Sequence, residues 1–366
     1  MLVSDWGAMT STATLALTPN STYFFSVQAR NVPGIMTAFV SLGSTATLAA
    51  VPAPAPVPFG SAATNGLTVS WLPNGNPLSI TTYTVVVSTE AVYPNANTGN
   101  VTVASTQPAG GLPTATLTGL VANTTYFAFA SAVNWNGLRT VYASLGSTST
   151  LALPPAAAAP VFAAVHESSA TFSWLPNGNP VNVTTYSVVL STGSSFNSFA
   201  GNVVFSTIPS GALPTATAAA GLIPNTTYFG YAAAINWNGA VSAYTALGST
   251  ATLAVLPATA VSTFSAVFIS SLTVSWSAAG NPLTITSYTV TLSTASDFNA
   301  FATSVTFTTA PAAGPSATFT GLTDFTQYFF QVRAVNHGGN ATAFVSLGST
   351  TTVIAPLGVP VLAGFP

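Results

Sequence analysis

Leu67-Thr68-Val69-Ser70-Trp71 is followed by a Gly/Pro turn from Pro73 to Pro77 and then by Ile80-Thr81-Thr82-Tyr83-Thr84-Val85-Val86-Val87. In the first run the large apolar side chains fall on every second residue, which puts Leu67, Val69 and Trp71 on one face of an extended strand. The second run repeats the alternation through Tyr83, Val85 and Val87. Short runs of β-branched and aromatic residues, separated by Asn, Gly and Pro clusters, read as strands of a β-sandwich. No stretch of useful length reads as helix.

Working outward, the same landmarks return. Tyr23, Tyr126, Tyr228 and Tyr328 keep step with a Leu-Gly-Ser-Thr that begins at Leu42, Leu145, Leu247 and Leu347, and Trp71 recurs as Trp174 and Trp276. The period is near 100 residues, the size of a whole domain rather than of a solenoid unit.

Within one period the order is Leu67 to Trp71, Ile80-x-x-Tyr83-x-Val85, Thr116-x-Thr118-Gly119-Leu120, Asn123-Thr124-Thr125-Tyr126, Ala132-Val133-Asn134 and a closing Leu-Gly-Ser strand. This order resembles the fibronectin type III family over nearly the whole chain. The resemblance implies tandem immunoglobulin-like β-sandwiches with strands B, C, E, F and G at these landmarks, the tryptophan in the core and Tyr126 at the corner entering strand F. The expected organisation is all-β: a partial sandwich at 1–50 (strands C′, E, F and G), complete sandwiches at 51–153, 154–256 and 257–355, and a tail at 356–366 that resembles strand A of a following or neighbouring domain. The intervening Ala/Pro-rich segments, such as Val51 to Pro58 and Leu153 to Pro160, favour stiff, extended connections.

Composition narrows function. Only 2% of the residues are charged, against roughly 25% in ordinary soluble proteins. With a net charge of −2, little repulsion keeps two copies apart. Arg30, Arg139 and Arg333 cannot neutralise a run of phosphates, so nucleic acid is excluded as a partner. The longest apolar run, Leu151 to Val165, is broken by prolines and falls short of the ~20 residues of a membrane span. No basic, apolar leader opens the chain at Met1. Cysteine is absent, so no disulfide staples any domain. His166 and His337 occupy different places in their repeats, away from clustered acids, and neither a catalytic set, a metal site nor a cofactor is expected.

The two ends of the pattern do not close. Matching Thr12 to Leu15 with Thr114 to Leu117 leaves the first repeat without strands A, B and C. Two accounts stay open: the tail of one subunit, with Val359, Val361 and Phe365, completes the open repeat of the next, or the sequence is a window on a longer repeat polypeptide.

Other candidates come from the faces and loops. Counting inward from Tyr126 places Ala128, Ala130 and Ala132 in the core and leaves Phe127 and Phe129 outward. Phe229 and Tyr231 repeat this. Such an apolar strip marks an assembly interface, unless a register shift returns it to the core. Phe196, Phe199, Phe298 and Phe301 recur in the variable loop after strand C, as a lateral contact or as a lid over the sandwich edge. Trp135 and Trp237, each within Asn-Trp-Asn-Gly, sit where the F-G loop faces the preceding domain, and are candidates for packing at the junction or stacking on sugar. Asn-x-Ser/Thr sequons at Asn20, Asn100, Asn123, Asn182, Asn225 and Asn340 are glycosylation candidates, and glycan would hydrate a surface that lacks ions.

The expected function is that of an extracellular structural subunit of a microbe, glycosylated and self-assembling head to tail and laterally into a filament, tube, sheath or surface layer. The alternative is a carbohydrate- or cell-binding repeat region of an adhesin or of a secreted polysaccharide-degrading enzyme.

Overall fold

The computed structural model describes residues 16–97, 99–106, 111–195, 203–209, 211–219, 221–298, 303–308 and 315–356. All regular structure among them is β. The first repeat contributes β1 (Thr22–Val27) and β2 (Val40–Ala46), paired antiparallel. The second is complete: β3 (Ala53–Ala62), β4 (Gly66–Leu72), β5 (Thr82–Ser88), β6 (Val101–Thr106), β7 (Thr114–Thr118), β8 (Thr125–Val133) and β9 (Ala143–Ser149). Its strands form a three-stranded sheet in the order β3-β4-β7 and a four-stranded sheet in the order β6-β5-β8-β9.

The third repeat follows the same plan with β10 (Ala156–Val165), β11 (Ala170–Leu175), β12 (Thr185–Ser191), β13 (Val203–Thr207), β14 (Thr215–Ala218), β15 (Thr227–Ile235) and β16 (Thr245–Ala251). The fourth has β17 (Ala258–Ser265), β18 (Ser271–Ser277), β19 (Ser287–Ser293), β20 (Thr303–Thr308), β21 (Ser316–Thr320), β22 (Gln327–Val335) and β23 (Val345–Thr351). The chain clusters into two compact units, one of Met1–Leu153 with Gly178–Pro180 and Ala234–Ser242, the other of Pro154–Asn177, Val181–Ala233 and Ala243–Pro366.

Period-two patterning explains the core. Leu67, Val69 and Trp71 of β4 are fully buried against Tyr83, Val85 and Val87 of β5 and against Ala128, Ala130 and Ala132 of β8. The Trp71 indole meets the Tyr83 ring edge-on at 5.3 Å, and Trp174–Tyr186 and Trp276–Tyr288 repeat this at 5.3 and 5.4 Å. Edge-to-face pairs of this kind add ~0.5–1.5 kcal/mol to the burial of the rings.

Core volume is shared differently in each repeat. In the third, Phe172 on β11 and Phe162 on β10 fill the centre, and a Cβ added at Gly230 of β15 would lie 3.3 Å from the Phe162 ring. In the fourth, β18 carries the smaller Val274, and Phe330 of β22 occupies the space, packing on Phe264 and Phe319 at 5.3 and 5.5 Å.

The recurring Leu-Gly-Ser is a bulge. Ala128 pairs with Gly146 but Phe129 pairs with Ser144, so Leu145 is an extra residue in β9. Gly146 takes φ +106°, which glycine adopts without strain. The bulge leaves Leu145 in the core, as it does Leu247 and Leu347. Each tyrosine after the turn closes a corner: the Val121, Ile223 and Thr323 N–H groups donate to the hydroxyls of Tyr126, Tyr228 and Tyr328 at 2.9–3.0 Å, and Thr18 N–H does so to Tyr23.

Threonine stands where charge is missing. On the outer face of the three-stranded sheets, Thr68–Thr116, Thr171–Thr217 and Thr273–Thr318 are joined by hydroxyl hydrogen bonds of 3.1, 2.8 and 2.9 Å.

Candidate functional site

The polar chemistry that repeats in register lies where one repeat meets the next. In the turn before β1, β8 and β15 stand Asn20, Asn123 and Asn225, with φ of +46°, +47° and +45°. Asparagine tolerates this left-handed conformation better than other residues with a side chain. All three are buried, and a buried amide must be hydrogen-bonded. Asn20 Nδ2 donates to Thr81 Oγ1 at 3.0 Å, and its Oδ1 accepts from Trp135 N–H at 2.9 Å. Asn225 does the same with Thr286 Oγ1 at 3.0 Å and His337 N–H at 2.8 Å. Asn123 Oδ1 accepts from Trp237 N–H at 3.1 Å, and both residues belong to the first compact unit.

A second asparagine answers from the loop between the last two strands of the following repeat. Asn134 Oδ1 accepts from the N–H groups of Asn136 and Leu138 and so shapes its own loop. Its Nδ2 donates to the Thr47 carbonyl at 3.1 Å. Asn236 and Asn336 make the equivalent bonds to the carbonyls of Thr150 and Thr252 at 3.2 and 3.0 Å.

The linkers are held by a third set. Asn76, Asn179 and Asn281 accept through Oδ1 from the N–H of Ala50, Leu153 and Val255 at 2.8 Å, and donate through Nδ2 to the carbonyls of the same residues. The junction of the first repeat with the second, inside one compact unit, and that of the third with the fourth, inside the other, are thus buried, paired polar networks. Such networks fix one geometry, because any other arrangement strands buried polar groups.

This arrangement corrects three of the glycosylation candidates. The side chains of Asn20, Asn123 and Asn225 are buried, and the Nδ2 atoms of Asn20 and Asn225 are already donating, so the folded junction has no room for a sugar there. Asn182 and Asn340 are exposed, and Asn100 is half-buried with its Nδ2 on Asn95 Oδ1.

The tryptophans are also placed. The loops of Trp135 and Trp237 dock through backbone N–H groups, while the two residues stay 59% and 60% exposed. The expectation that the rings themselves fill the junction is corrected to one in which the loop backbone and the flanking asparagines do so.

The outward aromatic strip is corrected as well. Phe129 and Tyr231 are buried, and Phe127 and Phe229 half-buried. No register shift causes this, since Ala128, Ala130 and Ala132 still face the core. The cover comes from the loop after β5, whose Tyr93 ring stacks on Phe129 at 5.6 Å and meets Tyr142 edge-on at 4.7 Å. Arg139 Nη1 in turn donates to the Tyr142 hydroxyl at 2.6 Å. In the third repeat Tyr231 hydroxyl reaches the Gly193 carbonyl at 3.5 Å in the matching loop, and in the fourth Arg333 lies over the Phe344 ring at 4.7 Å.

Phe298 is half-buried with φ +58°. Phe196, Phe199 and Phe301, and the tail candidates Val359, Val361 and Phe365, lie outside the described residues. Nothing among the described residues brings three His, Asp or Glu side chains together, and no helix is long and apolar enough to cross a membrane. His337 Nδ1 lies 3.4 Å from Thr227 Oγ1 at the junction.

Burial tunes the core tyrosines. The Tyr288 hydroxyl has no well-aligned hydrogen-bond partner; burial pushes its pKa up to about 12, only weakly opposed by nearby Asn281. Burial raises that of Tyr83 in the same way, against Asn76 and Thr81.

The fibronectin type III family model matches residues 260–346, from within β17 into β23. This segment matches a fibronectin type III domain. The second and third repeats share its strand order, core tryptophan and tyrosine corner, so the chain is a tandem fibronectin type III-like β-sandwich protein. The crystal structure of the chicken CNTN1 FN1-FN3 domains aligns with 83% of this chain and 99% of its own at 14% identity, with a TM-score of 0.28, too low to bear on how fibronectin type III repeats are arranged here. No curated protein matches the sequence.

Proposed function

We propose that this fibronectin type III-like repeat region works outside the cell as a structural element that binds copies of itself, rather than as a catalyst. The observation that carries the reading is the scarcity of charge: 2% of the 366 residues are charged and the net charge is −2, so little repulsion opposes contact between copies. Among the described residues of the first repeat Phe25, Val27 and Leu42 are 42%, 50% and 65% exposed, whereas their counterparts Phe330, Val332 and Leu347 lie in the core of the fourth repeat, and exposed apolar side chains suit contact with another copy. The buried asparagine networks support a load-transmitting role, because inside each compact unit they join neighbouring repeats through paired, buried amides.

In this reading any N-linked glycan sits on Asn182, Asn340 or Asn100, and further sugar on Ser and Thr hydroxyls. Light scattering across a wide concentration range, with electron microscopy of the same samples, tests the proposal: growing particles are expected, and monodisperse monomers throughout would refute it.

The exposed indoles of Trp135 and Trp237 favour one second reading, a sugar-binding repeat region, since a flat exposed ring beside Asn amides suits a pyranose. Binding to a polysaccharide that disappears in the Trp135→Ala/Trp237→Ala double variant, with assembly absent, would select it.

A further inference from the structure

The loop between β22 and β23 departs from its counterparts at three positions. Trp135-Asn136-Gly137-Leu138 and Trp237-Asn238-Gly239-Ala240 become His337-Gly338-Gly339-Asn340. In the earlier loops Asn136 and Asn238 donate through Nδ2 to Thr45 Oγ1 and Thr148 Oγ1 of the preceding repeat, at 3.4 and 2.9 Å. Gly338 has no side chain to do so, and two positions on stands Asn340, the acceptor of an Asn-x-Thr sequon. Its main chain holds the loop, the N–H donating to Asn336 Oδ1 at 2.8 Å and the carbonyl accepting from Asn336 N–H at 2.9 Å. Its side-chain amide is exposed and makes no hydrogen bond among the described residues. The other sequon side chains are engaged or buried: Asn100 Nδ2 donates to Asn95, Asn182 Oδ1 accepts from Gly211 N–H at 2.7 Å, and Asn20, Asn123 and Asn225 lie inside junctions.

Asn340 also lines an open cavity of about 210 Å³, between the 340–343 segment of the fourth repeat and Glu167, Leu253, Ala254 and Leu256 of the third repeat and its linker. All of these residues belong to one compact unit. The lining is mostly apolar, with Leu256 46% exposed, and Glu167 adds an exposed carboxylate. Sites that capture a free small molecule run to ~300–1,000 Å³, so this cavity is small for a diffusing ligand. A group tethered to one of the lining residues is a different case, because the tether raises its local concentration and a weak contact then suffices. A pyranose suits the surface: its C–H face covers apolar side chains, and its hydroxyls can donate to a carboxylate.

We propose that Asn340 carries an N-linked glycan whose first sugar ring lies in this cavity, over Leu253 and Leu256, with a hydroxyl donating to Glu167. In the transfer, Asn340 Nδ2 bonds to the anomeric carbon of a sugar activated as a glycosyl diphosphate. The bond from that carbon to the diphosphate oxygen breaks with its electron pair on oxygen, and the amide nitrogen gives up one proton to the transferase. The sugar then touches both the third and the fourth repeat, and so supplies a contact across the junction at which Gly338 offers none. The inference rests on the reading of the chain as extracellular and deepens it by naming the modified residue and what its glycan packs on.

The test secretes the full chain and its Asn340→Gln variant, which loses no side-chain hydrogen bond, from a host that glycosylates. Glycopeptide mapping is expected to find sugar on Asn340 of the wild type. An endoglycosidase then trims the glycan to its first sugar, and hydrogen exchange is followed in the full chain. Amides of residues 253–256 are expected to exchange about threefold more slowly in the trimmed wild type than in Asn340→Gln. Sugar on Asn340 with equal exchange in the two chains overturns the packing of the ring in the cavity. Sugar on Asn100 or Asn182 but not on Asn340 overturns the site and leaves the glycoprotein reading standing. No sugar on any of the three overturns both.

Discussion

β1–β2 and β22–β23 carry the same inward residues and meet opposite fates. Phe25, Val27 and Leu42 face the side on which Phe330, Val332 and Leu347 are buried, and the bulge glycines Gly43 and Gly348 have φ of +93° and +89°. In the fourth repeat β17, β18 and β21 supply Phe264, Val274 and Phe319 as the opposing layer. Among the described residues of the first repeat no such layer is present. An alternating pattern therefore sets which face of a strand is apolar, and the pairing and bulge geometry, without setting what covers that face.

The comparison breaks most clearly by truncation. Phe330→Ala is expected to cost ~3–5 kcal/mol of unfolding free energy by chemical denaturation. Phe25→Ala in dilute solution is expected to stay within about 0.5 kcal/mol, the range of surface changes. Equal losses would mean that the first repeat has a packed core after all.

The junctions come next. Asn225→Ala strands His337 N–H, removes the amide that donates to Thr286 Oγ1, which keeps its own bond to the Pro282 carbonyl, and puts alanine, less tolerant of the left-handed region than asparagine, at φ +45°. A loss of about 2–4 kcal/mol is expected in calorimetry, with Asn20→Ala behaving alike at the first junction. Asn225→Gly should recover the conformational part only.

Alkaline pH sharpens the contrast between covered and uncovered repeats. The folded pKa of Tyr288 lies above its unfolded value near 10. Its contribution is therefore fully present below pH 10 and is lost as the pH rises toward about 12, on the order of 2 kcal/mol. With five acidic residues and two histidines in the chain, melting temperatures should change little between about pH 5 and 9, and Tyr288→Phe should reduce the alkaline fall.

The smallest effect is expected at Phe325, held at φ +45°, where Phe325→Asn relieves the left-handed strain and raises stability by ~1 kcal/mol in dilute solution. A loss would show that the ring packs within its own repeat.

Much of this was legible in the sequence. Trp71, Trp174 and Trp276 with their strand alternation gave away the core, because period-two burial is a local property of the strand. The tyrosine corners were legible for the same reason. The cover over Phe129 was not, since Tyr93 lies 36 positions away in a variable loop, and the alternation marks Phe129 as outward without saying what lies above it. In the sequence Asn20, Asn123 and Asn225 look like sugar acceptors, because Asn-x-Thr matches a modification motif. Their recurrence at one turn, in step with Asn134, Asn236 and Asn336, was the signal of a paired junction. Its meaning depends on a left-handed backbone and on a contact from the next repeat, neither of which a single turn displays.

Hydrogen exchange of the full chain at low and high protein concentration tests the central claim most directly. Amides of β1 and β2 should exchange fast when dilute and gain protection as concentration rises, while those of β22 and β23 stay protected throughout. Protection of β1 and β2 that is high in dilute solution, or that never changes with concentration, would contradict the account.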